Sequence, residues 1–182
     1  MPFTPFHMGL GAALKALAGR RFSLITFGVA QVAMDIEPLV RMIRGDRILH
    51  GFTHTYIGAA VVGAGVLILG KPLAARLNEL WRRELIREGA AWLEESGGLD
   101  SGPAAAGAFI GTLSHVALDS LMHADIRPFA PFSQLNDLLG LIPLGELHVL
   151  CVVAGIVGLV VWGGLRYLHR PAPNKGGTGR ER

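Results

Sequence analysis

Residues 147–165 read LHVLCVVAGIVGLVVWGGL, a run without a single Asp, Glu, Lys or Arg. An α-helix rises about 1.5 Å per residue and a bilayer's hydrocarbon core is about 30 Å thick, so this run has the length of one membrane crossing. No polar face interrupts it, as lipid requires of a helix whose backbone must satisfy itself. Working outward, Ala104–Met122, apolar apart from a few polar residues and Asp119, and Tyr56–Gly70 are further candidate spans, the latter being short unless Thr53–Thr55 extend it. Two more charge-free blocks, 1–14 and 22–34, are too short for simple spans and are joined by Gly19, Arg20 and Arg21, which predicts a tight helical pair or a re-entrant hairpin. The expected fold is all-α: a polytopic membrane helix bundle with three full spans, a short N-terminal helical pair and an amphipathic surface helix.

Composition points the same way. Only 17% of the 182 residues are charged, 51% are hydrophobic and the mean hydropathy is +0.42, whereas ordinary soluble domains carry about 25% charge. Disordered and fibrous classes are excluded for most of the chain. Cys151 is the only cysteine, so an internal disulfide, a zinc ribbon and a redox pair are all excluded. A net charge of +3, drawn largely from the tail and a few arginine groups, argues against nucleic acid as a partner. The first positive charge, Lys15, follows the first apolar run instead of preceding it, so no secretory signal is expected there. Over 72–96 the residues Leu73, Leu77, Leu80, Trp81, Leu85 and Trp92 recur at helical spacing among Arg and Glu, which predicts an amphipathic helix. Residues 1–170 then form one membrane domain, with 71–102 as its cytoplasmic connection and 171–182 as a flexible basic tail.

Charge also votes on orientation. If the chain alternates across the membrane, 13 of its 17 Lys and Arg share one face, and only Arg41, Arg44, Arg47 and Arg127 lie opposite. Cations near span ends stay in the cytoplasm, so the expected topology has the N-terminus outside and the C-terminus inside. That places His7, His50, His54, His115, His123 and His148, together with Asp35, Glu37, Asp119 and Asp125, toward the outer half.

The chemistry is carried by several short motifs. His50-Gly-Phe-Thr-His54 sets two imidazoles at i and i+4, one face of a helix. His115, Asp119 and His123 follow at successive four-residue steps, with Gly107 and Gly111 on the same stripe to let another helix approach. An ionisable group in an apolar span costs about 2.5–3.5 kcal/mol on insertion scales, so Asp119 must face protein, water or a metal. A hydrogen bond between helices would satisfy Asp119 alone, but Asp35 and His7 repeat the pattern in other segments. His7, Asp35, His50, His54, His115 and Asp119 together suit Zn, with Mn or Fe as alternatives, rather than Ca or Mg. Six ligands exceed one tetrahedral zinc, so one or two ions are expected.

Pro5-Phe6-His7, Asp35-Ile-Glu37, His50-x-x-x-His54 with Thr53, and His115-x-x-x-Asp119 before the Pro-rich stretch Arg127–Pro131 resemble the membrane-bound metal-dependent hydrolases that include a LexA-regulated bacterial member. Their motif order is distantly similar to that of zinc-dependent phospholipase C. The likeness covers roughly residues 1–145 and implies a hydrolase of membrane helices with those six residues as metal ligands. The family often has Asp-x-Asp in the second motif and Arg after the first His of the third; here Glu37 and Gly51 take those places. The substrate does not carry over.

A bound metal would lower the pKa of water toward neutrality. Arg41, Arg44 and Arg127 oppose the general charge bias, and guanidinium forks match phosphate oxygens, so a membrane-borne phosphoester or lipid, or another small molecule, is the expected substrate and membrane lipid the expected partner. Glu37 or His123 is expected to shuttle the proton. The rival expectation is a non-enzymatic scaffold, or a bundle that binds haem or metal without catalysis.

Overall fold

The computed structural model describes residues 4–94 and 99–170, which fold as helices and turns without a strand among them. The tail expected at 171–182 and the Gly97-Gly98 break lie outside the described residues. Seven α-helices follow in order: α1 Thr4–Ala18, α2 Leu24–Met34, α3 Ile36–Arg44, α4 Tyr56–Leu69, α5 Lys71–Arg87, α6 Ser101–Met122 and α7 Leu144–Leu168. At 22 and 25 residues, α6 and α7 are each long and apolar enough to cross a membrane. The span expected at Tyr56–Gly70 is realised as 14-residue α4, which passes the same test only together with α5, to which it is joined by a 66° bend. Among the described residues two helices are thus long and apolar enough to cross a membrane, or three segments if the bent pair counts as one.

Helix α6 is the axis of the bundle. Ala104, Gly107, Ala108, Gly111, His115, Val116 and Asp119 are all buried along it. Small residues let α2 lie close. A Cβ on Gly107 would stand 2.4 Å from the Ser23 carbonyl oxygen, and one on Gly111 would stand 2.9 Å from the Ala30 Cβ. Gln31 adds polar glue by donating Nε2–H to the Gly111 carbonyl at 3.1 Å. On another side α4 closes the core, where Met34, Ala59 and Val116 form one buried cluster and Ala30, Val66 and Ala108 another. A second glycine seam joins α1 to α7: a Cβ on Gly158 would fall 2.5 Å from the Ala12 carbonyl carbon. The outer face of α7, from Val149 through Val160, remains exposed and is the face lipid would cover.

The two ends of the bundle differ. At one end Lys15 caps the α1–α2 turn, its Nζ donating to the carbonyls of Gly19 at 2.9 Å and Phe22 at 2.6 Å, and Ser23 N–H reaches Pro103 at 3.1 Å. At the other, Tyr56 N–H donates to Pro128 at 2.9 Å and Gly140 N–H to Leu121 at 3.1 Å. Alternation of the helices therefore gathers the start of α1, the α2–α3 junction, the start of α4 and the end of α6 at this second end. The amphipathic helix expected over 72–96 is shorter than that, because Gly89 takes a left-handed φ of 67° and α5 ends at Arg87. Trp92 belongs instead to a short turn that meets Tyr167 of α7.

Candidate metal centre

His7, near the start of α1, is buried with its Nε2 3.3 Å from Asp119 Oδ1. From α6, His115 Nε2 lies 3.2 Å from Asp119 Oδ2 and 3.5 Å from Asp35 Oδ1, and His54 Nε2 lies 3.5 Å from Asp119 Oδ2. Ligand atoms within 4.8 Å of one another form four overlapping sets among the described residues: His7, His115 and Asp119; Asp35, His54 and His115; His50, His54 and Asp119; and His50, His123 and Asp125. All six expected ligands thus belong to one continuous cluster.

One expectation about this cluster is corrected. His50 and His54 do not share a helix face, because Gly51 adopts φ −114° and ψ −136° and Phe52–His54 is a single 3₁₀ turn before the Thr55 cap of α4. Their rings meet all the same, with centroids 4.7 Å apart. Gly51 also leaves room for an ion pair: a Cβ there would stand 2.1 Å from Glu37 Oε1 and 2.2 Å from Arg41 Nη2, and both side chains would have to shift.

The outer nitrogens of three histidines are fixed by partners whose donor capacity is settled. Gln31 spends its NH₂ on Gly111, so its Oε1, 2.6 Å from His115 Nδ1, accepts the N–H there. Thr53 gives its hydroxyl proton to Glu37 Oε2 at 2.5 Å, and its Oγ1 lone pair takes the Nδ1–H of His54 at 3.1 Å. Asp125 accepts the Nδ1–H of His50 at 2.8 Å while its other oxygen takes the backbone N–H groups of Leu49 and His50. With those bonds in place a neutral ring at each position would turn an Nε2 lone pair inward, the arrangement that outer partners give to metal-ligating histidines. Burial and the neighbouring His54 hold His50 below its ordinary pKa despite Asp125, so the neutral ring is favoured.

The donor set fits a cation. The Nε2 atoms of His7, His54 and His115 are buried without a hydrogen-bond partner, an arrangement that costs free energy unless something accepts their lone pairs. Two ligands held at about 2.0–2.1 Å on a tetrahedral zinc lie about 3.3 Å apart, and the four contacts above span 3.2–3.5 Å. A cavity of about 20 Å³ touches Asp35, His50, Asp119 and His123, room for one water-sized occupant.

The remaining expected residues stand around the cluster. Glu37 accepts from Arg41 on Oε1 and from Thr53 on Oε2, and these bonds outweigh burial to hold its carboxyl below the ordinary range. Arg41 is committed to Glu37 at 2.8 Å. Arg44 is exposed beside it, and Arg127 is exposed and donates to Gln134 at 2.9 Å. His123 stacks on His50 at 4.5 Å and lines the cavity. Sequence reasoning gave Gln31 and Asp125 no role. Gln31 had left a signal, a lone amide in the apolar run four positions before Asp35.

A helical bundle with membrane-length spans and a buried histidine–carboxylate cluster at one end defines a polytopic membrane protein with a candidate ion site. The sequence profile of the YdjM inner membrane protein family matches residues 1–172, and the chain belongs to that family. Nothing among curated proteins or solved structures matches it.

Proposed function

We propose that this inner-membrane protein is a metal-dependent hydrolase acting on a membrane-borne phosphoester. The observation that carries this reading is the convergence of three buried Nε2 atoms, none in a well-formed hydrogen bond, on Asp119 and Asp35 at ligand spacing. His7, Asp35, His50, His54, His115 and Asp119 would hold one or two ions, zinc by its preference for imidazole and carboxylate, with Mn or Fe as alternatives. A bound ion would supply hydroxide near neutral pH and polarise the attacked group. His123, at the cavity with its pKa lowered by burial, is suited to take up and return the proton. Glu37, with both oxygens bonded, serves instead to fix Thr53 and hence His54. Arg44 and Arg127 are exposed cations available to phosphate oxygens, while Arg41 would first have to leave Glu37. The bias of cations near span ends supports an N-terminus outside and a C-terminus in the cytoplasm.

The test is elemental analysis of the detergent-purified protein, alone and as His54→Ala and Asp119→Ala. Stoichiometric zinc that both changes remove, with helix content retained and phospholipid hydrolysis abolished, is the expected result. A second reading is favoured by the His–Asp contacts themselves: a polar clasp that ties α1, α4 and α6 together in a non-catalytic scaffold. That reading expects no metal in the parent and loss of thermal stability in both variants.

A further inference from the structure

Four residues of α3, Ile36, Leu39, Val40 and Ile43, recur at i, i+3, i+4 and i+7, and all are exposed, Ile43 to 77%. The opposite side of the same helix faces the site. Pro38 and Met42 line the small cavity with Asp119 and His123, and Glu37 and Arg41 close over Gly51. The nine-residue helix therefore has the site behind it and an uncovered apolar stripe in front. Arg44, the last residue of the helix, and Arg47, just beyond its Gly45 cap, are both exposed.

A second element at the same end has the same character. Beyond α6 the loop carries Phe129, Phe132, Leu135 and Leu141 outward, Phe132 being 87% exposed. Arg127 is exposed at its base. The loop is tied to the site end through Tyr56, whose N–H binds Pro128 and whose ring meets Phe129 at 5.3 Å.

We propose that α3 and the 129–141 loop are seated in an anionic lipid surface, so that the mouth of the cluster lies at headgroup level. Three observations name lipid as the occupant. Ile36 lines one continuous apolar groove with Val32 and Ala33 of α2, so the stripe on α3 prolongs a face of the spanning bundle. The polar edge carries Arg44, Arg47 and Arg127 against the exposed Asp46 and Asp137, three cations to two anions, and the guanidinium forks match phosphate-bearing headgroups. The helix is short, with one apolar face and one polar face, the form that lies in the interface plane instead of crossing it. This seating stands whether or not the cluster hydrolyses anything, and it deepens the proposed function by delivering the substrate's headgroup beside Asp119 and His123.

The test uses the full chain in bilayer nanodiscs, made of phosphatidylcholine alone or with phosphatidylglycerol. Ile43→Cys, Phe132→Cys and Asp46→Cys each carry an environment-sensitive fluorophore, and the parent, whose Cys151 is buried, is the labelling blank. Val40→Cys replaces Ile43→Cys if the latter does not fold. Probes at 43 and 132 are expected to be quenched several-fold by nitroxide-bearing lipid and little by iodide, with the reverse at 46. Arg44→Glu with Arg47→Glu should reduce the lipid quenching at 43 in the anionic discs and not in the neutral ones. Iodide quenching at 43 and 132 as strong as at 46 would place both elements in water and overturn the proposal. Protection that vanishes in discs holding a single chain would assign the face to a second copy and overturn it equally. A charge reversal without effect in anionic discs would remove the arginines from the interface.

Discussion

The Thr53 hydroxyl stands between two groups with opposite needs, giving its proton to Glu37 and its lone pair to His54. Thr53→Val keeps the shape of the side chain and removes both bonds. Loss of such an outer partner commonly lowers ion affinity about 10–100-fold, and that fall is the expected result, measured by chelator competition, with helix content unchanged and Thr53→Ser restoring the parent value. Gln31→Leu should act similarly through His115, since it leaves Nδ1–H without its acceptor. The six candidate ligands were legible in the sequence because ionisable groups stand out in apolar surroundings. The pairing of Gln31 and Asp125 with them was not, because it is made by the fold: Gln31 and His115 are 84 positions apart, and Asp125 and His50 are 75 apart. His50 and His54 were legible by type and misread by conformation, since the backbone at Gly51 brings the rings together without a helix.

At the scale of elements, close approach of helices takes the place of a large side-chain core. Gly158 abuts the backbone of Ala12 and Ala13, which has no flexible end to give way, whereas a Cβ on Gly163 of the same helix would meet nothing within 4 Å. Gly158→Val is therefore expected to destabilise the α1–α7 contact by about 1–3 kcal/mol or more, and Gly163→Val to leave it intact. Thermal aggregation of the two variants in detergent would show the difference. Hydropathy made α6 and α7 legible, because apolar length alone decides whether a helix can cross. It could not place the bend at Gly70 or the end of α5. The end of α5 is set by Gly89 and its left-handed φ, and the bend lets Leu73, Leu77 and Trp81 turn toward the groove along α2.

For the whole molecule, the separation of its two ends carries the last prediction. The fold puts Lys15, Arg20, Arg21, Lys71 and Arg166 at or near the end away from the cluster, where Arg166 also reaches the Glu94 carbonyl. His7, Asp35, His54 and Asp119 meet at the opposite end. The helices explain why the two sets separate but carry no information about which end faces the cytoplasm; that comes from the bias of cations near span ends. Because alternation of the spans in the sequence puts 13 of 17 Lys and Arg on one face, a reporter fused after Arg182 should be cytoplasmic and one inserted between Asp46 and Leu49 external. Labelling of intact cells with a membrane-impermeant reagent distinguishes the two positions. The opposite pattern would invert the orientation and turn the cluster toward the cytoplasm, leaving its internal geometry untouched, because the packing of α1, α2, α4 and α6 that builds it is the same in either direction.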